Sequence, residues 1–510
     1  MSEQALNDPQ IDASPTPQRG RQGAGRTLTG PSGAVVRAVR AYPWVFAAIA
    51  LLAISAVLVR WAGARPGYDP YGWLVWGKLT IHLKLDTNGA PSWKPLPFLF
   101  TVPFSLLGRF SLWLWMITAV AVSLSGAIFA WRIAWRLVDP PPQRRYAGYA
   151  AGVFAVAGVF GIVGYAHFIL SAQSDTMIVA LCLGAIDCWL SGRQRWAFVL
   201  WVLGGLGRPE VWPFLALHAL WAWRRYPSMR WLIGGGLALV PLMWFGIPAL
   251  TAKTVFVASD NALHSPRELH SNKLSGTISR FVNNQTWPIE LAAVLAVVLA
   301  LVRREQPRNR TVLVLAAGAA AWVVIEIAFA LHGFPAVPRY LFEPIGVTSV
   351  LAGVAVGRIL LDLPPLAARL LPRLSTRSAA WAAGLAVILL AGALLPVARA
   401  RYRAEHKDLN HERARTREIN RLSTVVARLG PARILACGQP NVPIGYQSVF
   451  AWYMDIKTGV LYVAPKHLKA HPHTTVDFFA LSNGWHVFPN HVNAATAPHC
   501  HGLRLRYQQP

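Results

Sequence analysis

The chain has 510 residues, of which 54% are hydrophobic and only 14% charged, with 22 tryptophans and a formal charge of +27. That apolar excess excludes an ordinary soluble enzyme and points to a polytopic membrane protein. The positive charge does not mark a nucleic-acid binder, because the arginines sit between apolar runs and no DNA- or RNA-binding motif is present.

Residues 1–41 are rich in Gln, Pro, Ser, Gly and Arg and cannot bury a core, which predicts a disordered cytoplasmic tail. The run 43–59 follows. Ala62-Gly63-Ala64 imitates a signal-peptidase site, but the many later apolar segments favour a retained first membrane helix. Further segments near the roughly 20-residue spanning length lie at 111–136, 147–166, 174–191, 229–249, 287–302, 311–331, 339–357 and 379–398. Two shorter runs, 196–207 and 211–223, meet at "GLGRPEVW" and form either two short spans or one re-entrant hairpin. Taken as two, they bring the expected count to about eleven transmembrane helices.

Arginine placement orients these spans. With the amino terminus inside, the inner loops hold Arg132, Arg136, Arg144 and Arg145, then Arg193 and Arg195, then Arg224, Arg225 and Arg230. Arg303, Arg304, Arg308 and Arg310 follow, and finally Arg358, Arg369, Arg373 and Arg377. This is the positive-inside pattern, and an odd number of spans puts residues 399–510 outside. The expected organisation is a tail (1–41), a transmembrane domain (42–398) with a large outer loop at 61–110, and an extracytoplasmic domain (399–510). The setting is the plasma membrane, crossed many times, with membrane lipids as constant partners.

The outer loop reads "GYDPYGWLVWGKLTIHLKLDTNGAPSWKPLPF" from Gly67 to Phe98. Apolar residues at Tyr71, Leu74, Val75 and Leu79 have helical spacing, which suits a helix lying in the membrane interface. The run 95–108, interrupted by Pro95, Pro97 and Pro103, reads as a second interfacial or re-entrant helix. Two readings stand for its charged residues. Asp69 caps the helix or acts in chemistry, and Lys94 snorkels to headgroups or binds an anion.

An Asp soon after the first membrane helix, a juxtamembrane helix and then a Lys-Pro signature resemble the GT-C superfamily. The protein O-mannosyltransferases and the lipid A aminoarabinose transferase are the most similar members. The matching residues are Asp69, followed by Pro70 where those enzymes carry a second acid, and Lys94-Pro95-Leu96-Pro97. "LSAQSDTM" around Asp175, "GLGRPE" around Arg208 and "VPRYLFEP" around Arg339 follow in the family's order. The similarity covers roughly residues 43–357. It implies a GT-C-like helical domain and an integral membrane glycosyltransferase, a hexosyl- or pentosyltransferase. Such an enzyme uses a polyprenyl-phosphate-linked sugar donor and a glycan, lipid or protein acceptor of the cell envelope.

In that chemistry a carboxylate draws the proton from the acceptor, while cations hold the donor phosphate as the glycosidic bond breaks. Asp69 is the expected base, and Lys94, Arg208 and Arg339 are the expected phosphate ligands. Arg208 equally pairs with Glu210, and Arg339 with Tyr340 equally anchors a helix end. Asp175, Glu326 and Glu343 lie in or beside membrane helices, where ionisable groups line wet cavities, so they join the site-lining candidates. Asp187 and His167 read as helix-end or packing residues. The outer loop 251–286, with Asp260, His264 and Arg267, is either plain surface or a lid over the site.

Residues 399–510 begin with a charged helix and continue with short apolar runs, which predicts a small α/β domain. Cys437 and Cys500 are the only cysteines outside, and a disulfide between them is the simplest reading. Cys182 and Cys188 lie in a membrane helix as free thiols. His471-Pro-His473 and His499-Cys500-His501 match no standard zinc spacing, so no metal ligand is assigned, and a divalent metal stays open as a cofactor. The competing function is a transporter or flippase of a lipid-linked sugar. Neither an internal repeat nor a Walker motif speaks for it.

Overall fold

A computed structural model describes residues 41–89, 91–263, 265, 267–270, 272–370, 375–461, 473–481 and 484–508, with only the backbone at 366–370 and 376. The expected tail (all but its last residue), His264, Arg373 and His471 lie outside the described residues, as does the Arg369 side chain. By internal contacts the chain divides into two units, Met1–Ala50, whose described residues include the start of the first helix, and Leu51–Pro510.

The helices in chain order are α1 (Pro43–Ala62), α2 (Tyr68–Ile81), α3 (Pro95–Ser105), α4 (Ser111–Val138), α5 (Arg145–Phe160), α6 (Tyr165–Leu170), α7 (Ser174–Leu190), α8 (Gln194–Gly207) and α9 (Trp212–Arg225). Then come α10 (Arg230–Pro241), which continues through a wide turn to Thr251, α11 (Lys273–Asn283), α12 (Trp287–Val302), α13 (Pro307–Leu331), α14 (Phe342–Leu370) and α15 (Thr376–Leu429). Six helical stretches among the described residues are long and apolar enough to cross a membrane: Pro43–Ala62, Gly108–Val138, Pro227–Thr251, Pro307–Leu331, Pro338–Pro365 and Arg377–Leu429. A seventh forms if α11 and α12, bent by 100° at their junction, count as one. The chain is a polytopic membrane protein. The other segments expected to span are helices of 14 to 17 residues. Residues 196–223 form two helices, α8 and α9, joined by the turn Pro209–Val211.

The bundle core depends on small residues. Ala147, Ala151 and Ala155 on α5 are fully buried, one helical turn apart, and α14 runs against them. Gly353 on α14 makes that approach close: a Cβ there would meet the Ala151 carbonyl oxygen at 2.3 Å. In lipid such small-residue contacts replace the hydrophobic drive, since the surrounding tails are as apolar as the helices.

Charge separates the two ends of the bundle. Near the end of α7, Asp187 takes Arg132 Nε at 2.9 Å and Arg136 Nε at 3.6 Å. Near the end of α14, Asp362 takes Arg303 Nη1 at 3.2 Å and Arg358 Nη1 at 3.8 Å. Asp175 and Arg339 lie at the starts of these two helical segments. The twelve residues between Asp175 and Asp187 make up about 18 Å of helix rise.

Helix α15 is the long strut of the molecule. It continues past the apolar stretch without a break for 54 residues in all. Ile419, Leu422, Val426 and Leu429 are buried at helical spacing and form its inner stripe. Beyond it lie α16 (Pro431–Cys437), β1 (Gln439–Asn441), α17 (Gln447–Met454), β2 (Thr475–Leu481), β3 (Gly484–Asn490) and β4 (Leu505–Gln508). The strands pair in the order β1-β2-β3-β4, with β1–β2 parallel and the other two pairs antiparallel. A disulfide joins Cys437 at the end of α16 to Cys500 ahead of β4.

This carboxy-terminal unit changes the environment of α2. The spacing of Tyr71, Leu74, Val75 and Leu79 suggests a one-sided interfacial helix, yet every residue from Pro70 to Gly77 is buried. The reason is tertiary: α2 is packed by α3 and by α17. Lys78 pairs with Asp455 at 2.9 Å and lies over the Trp452 ring.

The close α5–α14 crossing generates a stability prediction. Gly353→Ala forces a Cβ against a backbone oxygen and costs about 1–3 kcal/mol. Gly234→Ala, where a Cβ meets nothing within 4 Å, is the matched control. Melting curves in detergent should show a lowered midpoint for the first variant and an unchanged or raised one for the second.

Candidate active site

Five charged residues from five separate places meet at the end of the bundle where α7 and α14 begin. Asp69 and Asp175 each occupy the first turn of a helix, α2 and α7, where the helix dipole favours a carboxylate. Lys94 is the extended residue before α3, and Pro95 starts that helix with no N–H to lose. Arg208 is likewise extended, between α8 and the turn Pro209–Val211. Arg339 lies in the turn Pro338–Leu341 that leads into α14.

Two backbone features bring α2 and α7 together. The Gly67 N–H donates to the Ser171 carbonyl at 3.0 Å, and a Cβ on Gly67 would meet Gln173 Nε2 at 2.3 Å. Ala172 and Ala336, three residues before Asp175 and Arg339, have φ of 54° and 43°. Alanine in the left-handed region stores roughly 1 kcal/mol or more of strain, and such strain clusters at functional sites.

At the centre is Asp175, fully buried. Its Oδ1 accepts a hydrogen bond from Arg208 Nη2, and lies 3.8 Å from Arg339 Nε and 4.0 Å from Lys94 Nζ. Lys94 also donates to Ser174 Oγ at 3.3 Å and lies over the Trp73 ring at 5.9 Å. Asp69 stands at the rim: its Oδ2 is 3.7 Å from Arg339 Nη1, and its side chain is 20% exposed.

The three cations are not equivalent. Arg208 also faces Glu343 at 3.5 Å and Glu210 at 3.8 Å, and it lies 4.4 Å from the centroid of the Tyr340 ring. Burial works against its charge, but Glu343, Asp175 and Glu210 more than offset that and hold the guanidinium above its ordinary value. Its charge is therefore met inside the protein. Lys94 and Arg339 keep 15% and 19% side-chain exposure, so these two can still reach an incoming anion. Burial pulls the Lys94 ammonium below its ordinary value, and Asp175 resists that. Buried donor atoms at Arg208 Nε and Nη1 and at Arg339 Nε are held only by the ion pairs of 3.5 to 3.8 Å and make no hydrogen bond. Buried polar groups of that kind mark a place for a ligand, water or ion.

Two hollows adjoin the cluster. A cavity of about 310 Å³ has Lys94, Arg208, Glu210, Glu326 and Tyr340 on its polar side and Trp93, Trp212, Trp244, Phe256 and Phe334 opposite. An apolar groove of about 550 Å³ runs between α7, α9, α13 and α14, walled by Ile186, Phe214, Leu217, Trp221, Leu315 and Val347. Glu343, the partner of Arg208, lines this groove.

Of the residues singled out in the sequence, Asp69, Lys94, Asp175, Arg208, Glu326, Arg339, Tyr340 and Glu343 thus gather around one cluster. Asp260 and Arg267 are exposed: Asp260 accepts from Thr254 Oγ1 at 2.6 Å, and the Arg267 N–H is 3.3 Å from Ser265 Oγ. The loop carrying them still supplies Val255, Phe256, Ala258, Ser259 and Ala262 to the cavity wall. Sequence reasoning passes over Ser174 and the wall aromatics, because a serine at a helix start and a tryptophan in an apolar run look like ordinary cap and core. Tyr68, beside Asp69, also goes unmarked; burial pushes its phenol up to about 12, so it stays a proton-bearing donor at neutral pH.

No protein-family model matches the chain, and no curated protein matches it by sequence. Among solved structures it is similar to ArnT from Cupriavidus metallidurans bound to undecaprenyl phosphate, at 15% identity and a TM-score of 0.47, over 84% of this chain and 86% of that one. The apo state of the same ArnT gives 14% identity at the same TM-score and coverage. The chemistry of the site rests on its own residues.

The sharing of one carboxylate by three cations makes Asp175 the residue whose loss the cluster tolerates least. Asp175→Asn leaves Lys94, Arg208 and Arg339 crowded without their common anion, which costs about 3–5 kcal/mol. Asp69→Asn, at the exposed rim, costs at most about 1 kcal/mol. Detergent melting midpoints should separate the two clearly, with Asp175→Asn far lower.

Proposed function

We propose that the protein is an integral membrane glycosyltransferase that moves a sugar from a polyprenyl-phosphate donor to a cell-envelope acceptor on the outer face of the plasma membrane. One observation carries this reading: a cluster of cations with buried donor atoms outside hydrogen bonds adjoins an apolar groove, and Glu343 belongs to both. A phosphate attached to a prenyl chain needs that combination, a fixed positive cluster for the head and an apolar slot at membrane depth for the tail. The arginine ion pairs at the far end of α7 and α14 support an inner face there and, with it, an outer position for the cluster and residues 399–510.

In this mechanism Lys94 and Arg339 grip the donor phosphate, and Arg208 holds Asp175 so that both cations stay aimed. The acceptor oxygen attacks the anomeric carbon of the sugar, and the bond from that carbon to the phosphate oxygen breaks. The phosphate leaves with the bonding electrons, and the cations meet the charge that develops on it. The acceptor proton passes to Asp69, the carboxylate of the cluster nearest the rim. Phosphate is already a good leaving group, so no strong acid is required. The cavity beside Lys94 and Glu326 accommodates the sugar.

Purified protein supplied with radiolabelled polyprenyl-phosphate sugars should consume one of them. Asp69→Asn should bind that donor normally and transfer the sugar about 100- to 10,000-fold more slowly, the usual worth of a general base. Lys94→Ala should weaken donor binding itself, since a charge-assisted contact to phosphate is lost. Near-parental transfer by Asp69→Asn removes that residue from the chemistry. Movement of donor across a vesicle membrane without transfer supports a flippase instead.

A further inference from the structure

A second cluster lies away from the cations, where α6 meets the extramembrane part of α15. His167 Nδ1 on α6 is 2.8 Å from Asp408 Oδ2 on α15. Glu412 lies one helical turn after Asp408, on the same face, and one donor atom from each of His167, Asp408 and Glu412 falls within 4.8 Å of the others. We propose that these three residues bind a divalent transition-metal cation that ties α6 to α15.

The donor set is one imidazole nitrogen and two carboxylate oxygens. That set is too hard for copper(I) and suits Zn²⁺ or Mn²⁺. Zinc bonds of about 2.0–2.2 Å bring ligand atoms to little over 3 Å from one another, so modest side-chain rotation closes the set around the ion. Space for further ligands exists: a cavity of about 230 Å³ adjoins the three residues and is also lined by Glu405 and His406. Water from it can complete the coordination.

The surroundings already hold the ligands in place. The Glu405 carboxylate takes backbone hydrogen bonds from Gly164 and His167, capping the start of α6. Arg415 pairs with Glu412 at 3.3 Å and also donates to the Pro66 carbonyl, which steadies that carboxylate from the side. Arg65 lines the same cavity, but its guanidinium is directed over the Trp113 ring at 5.4 Å.

The position gives the ion a role. Helix α6 leads directly into the turn 171–173 that presents Asp175, and Gly67 bonds to that same turn. A cation at His167 therefore stiffens the link between the strut α15 and the charged cluster. It is a structural tie, and none of its three ligands belongs to the cation cluster.

The test uses full-length protein bearing a tag without histidines, stripped with EDTA, loaded with ZnCl₂ and separated from free metal by gel filtration. Elemental analysis should find one more Zn²⁺ per chain on the parent than on the double variant His167→Ala/Asp408→Asn. The difference discounts zinc held loosely by exposed histidines such as His499 and His501. Zinc should raise the melting midpoint of the parent by about 3 °C or more and leave that of the double variant unmoved. Should the double variant not fold, Glu412→Gln serves, with zinc affinity expected to fall at least about tenfold. Parent protein that retains no zinc above the stripped background, equal retention by parent and double variant, or unchanged affinity in Glu412→Gln overturns the proposal.

Discussion

The charged cluster of this protein depends on one buried carboxylate. Asp175 is fully enclosed, and Lys94, Arg208 and Arg339 all point at the same oxygen of it. Three cations without it repel one another in a medium where the repulsion is poorly screened. With it they become a fixed array whose remaining charge faces the rim. Glu210 and Glu343 extend the arrangement on the far side of Arg208. Their pairing with the most buried cation leaves the two more exposed ones to meet a ligand.

That array needs rigid supports, because its members come from five separate elements. The turn before α7 is held by the Gly67–Ser171 bond, and the turn before α14 by Arg280, whose Nη1 donates to the carbonyls of Pro335 and Ala336 at 2.8 and 2.7 Å. Helix α15 braces the same region. Arg413 donates from Nε to the Ala62 carbonyl at 2.8 Å and from Nη2 to that of Trp61 at 3.1 Å, satisfying the end of α1, while the Arg65 N–H bonds to Thr416 Oγ1 at 2.7 Å. The carboxy-terminal unit is thus structural support for the site as well as a cover for α2.

Much of the fold can be read from the sequence, since burial in lipid leaves few choices. A long apolar run has to be helical, because no water is available for unpaired backbone groups. Each of the apolar segments identified in the sequence is largely helical, 147–166 being broken at 161–164 between α5 and α6, and arginines bound one end of most. The limits of sequence appear in the shorter segments. Hydropathy alone cannot say whether α5, α8 or α9 traverses the full bilayer, since their 14 to 16 residues depend on tilt and neighbours.

The candidate site was legible as residue types rather than as an arrangement. Asp175 stands out in the sequence because ionisable groups beside membrane helices are costly and need a reason, and Asp69, Lys94, Arg208 and Arg339 because the motif resemblance selects them. Their ranking does not. Nothing along the chain says that Arg208 spends its charge on three carboxylates while Lys94 and Arg339 stay accessible. Nor does sequence say that, of two polar residues in one long loop, Asp260 bonds to Thr254 while the charge of Arg267 reaches Tyr68 beside Asp69. His167 reads as a helix-end residue until α15 brings Asp408 beside it from 241 positions away. Local composition determined the helices and their polarity. Only the tertiary structure decided which charges share an oxygen, because electrostatic pairing depends on distance in space and the chain encodes that distance through packing far from the residues themselves.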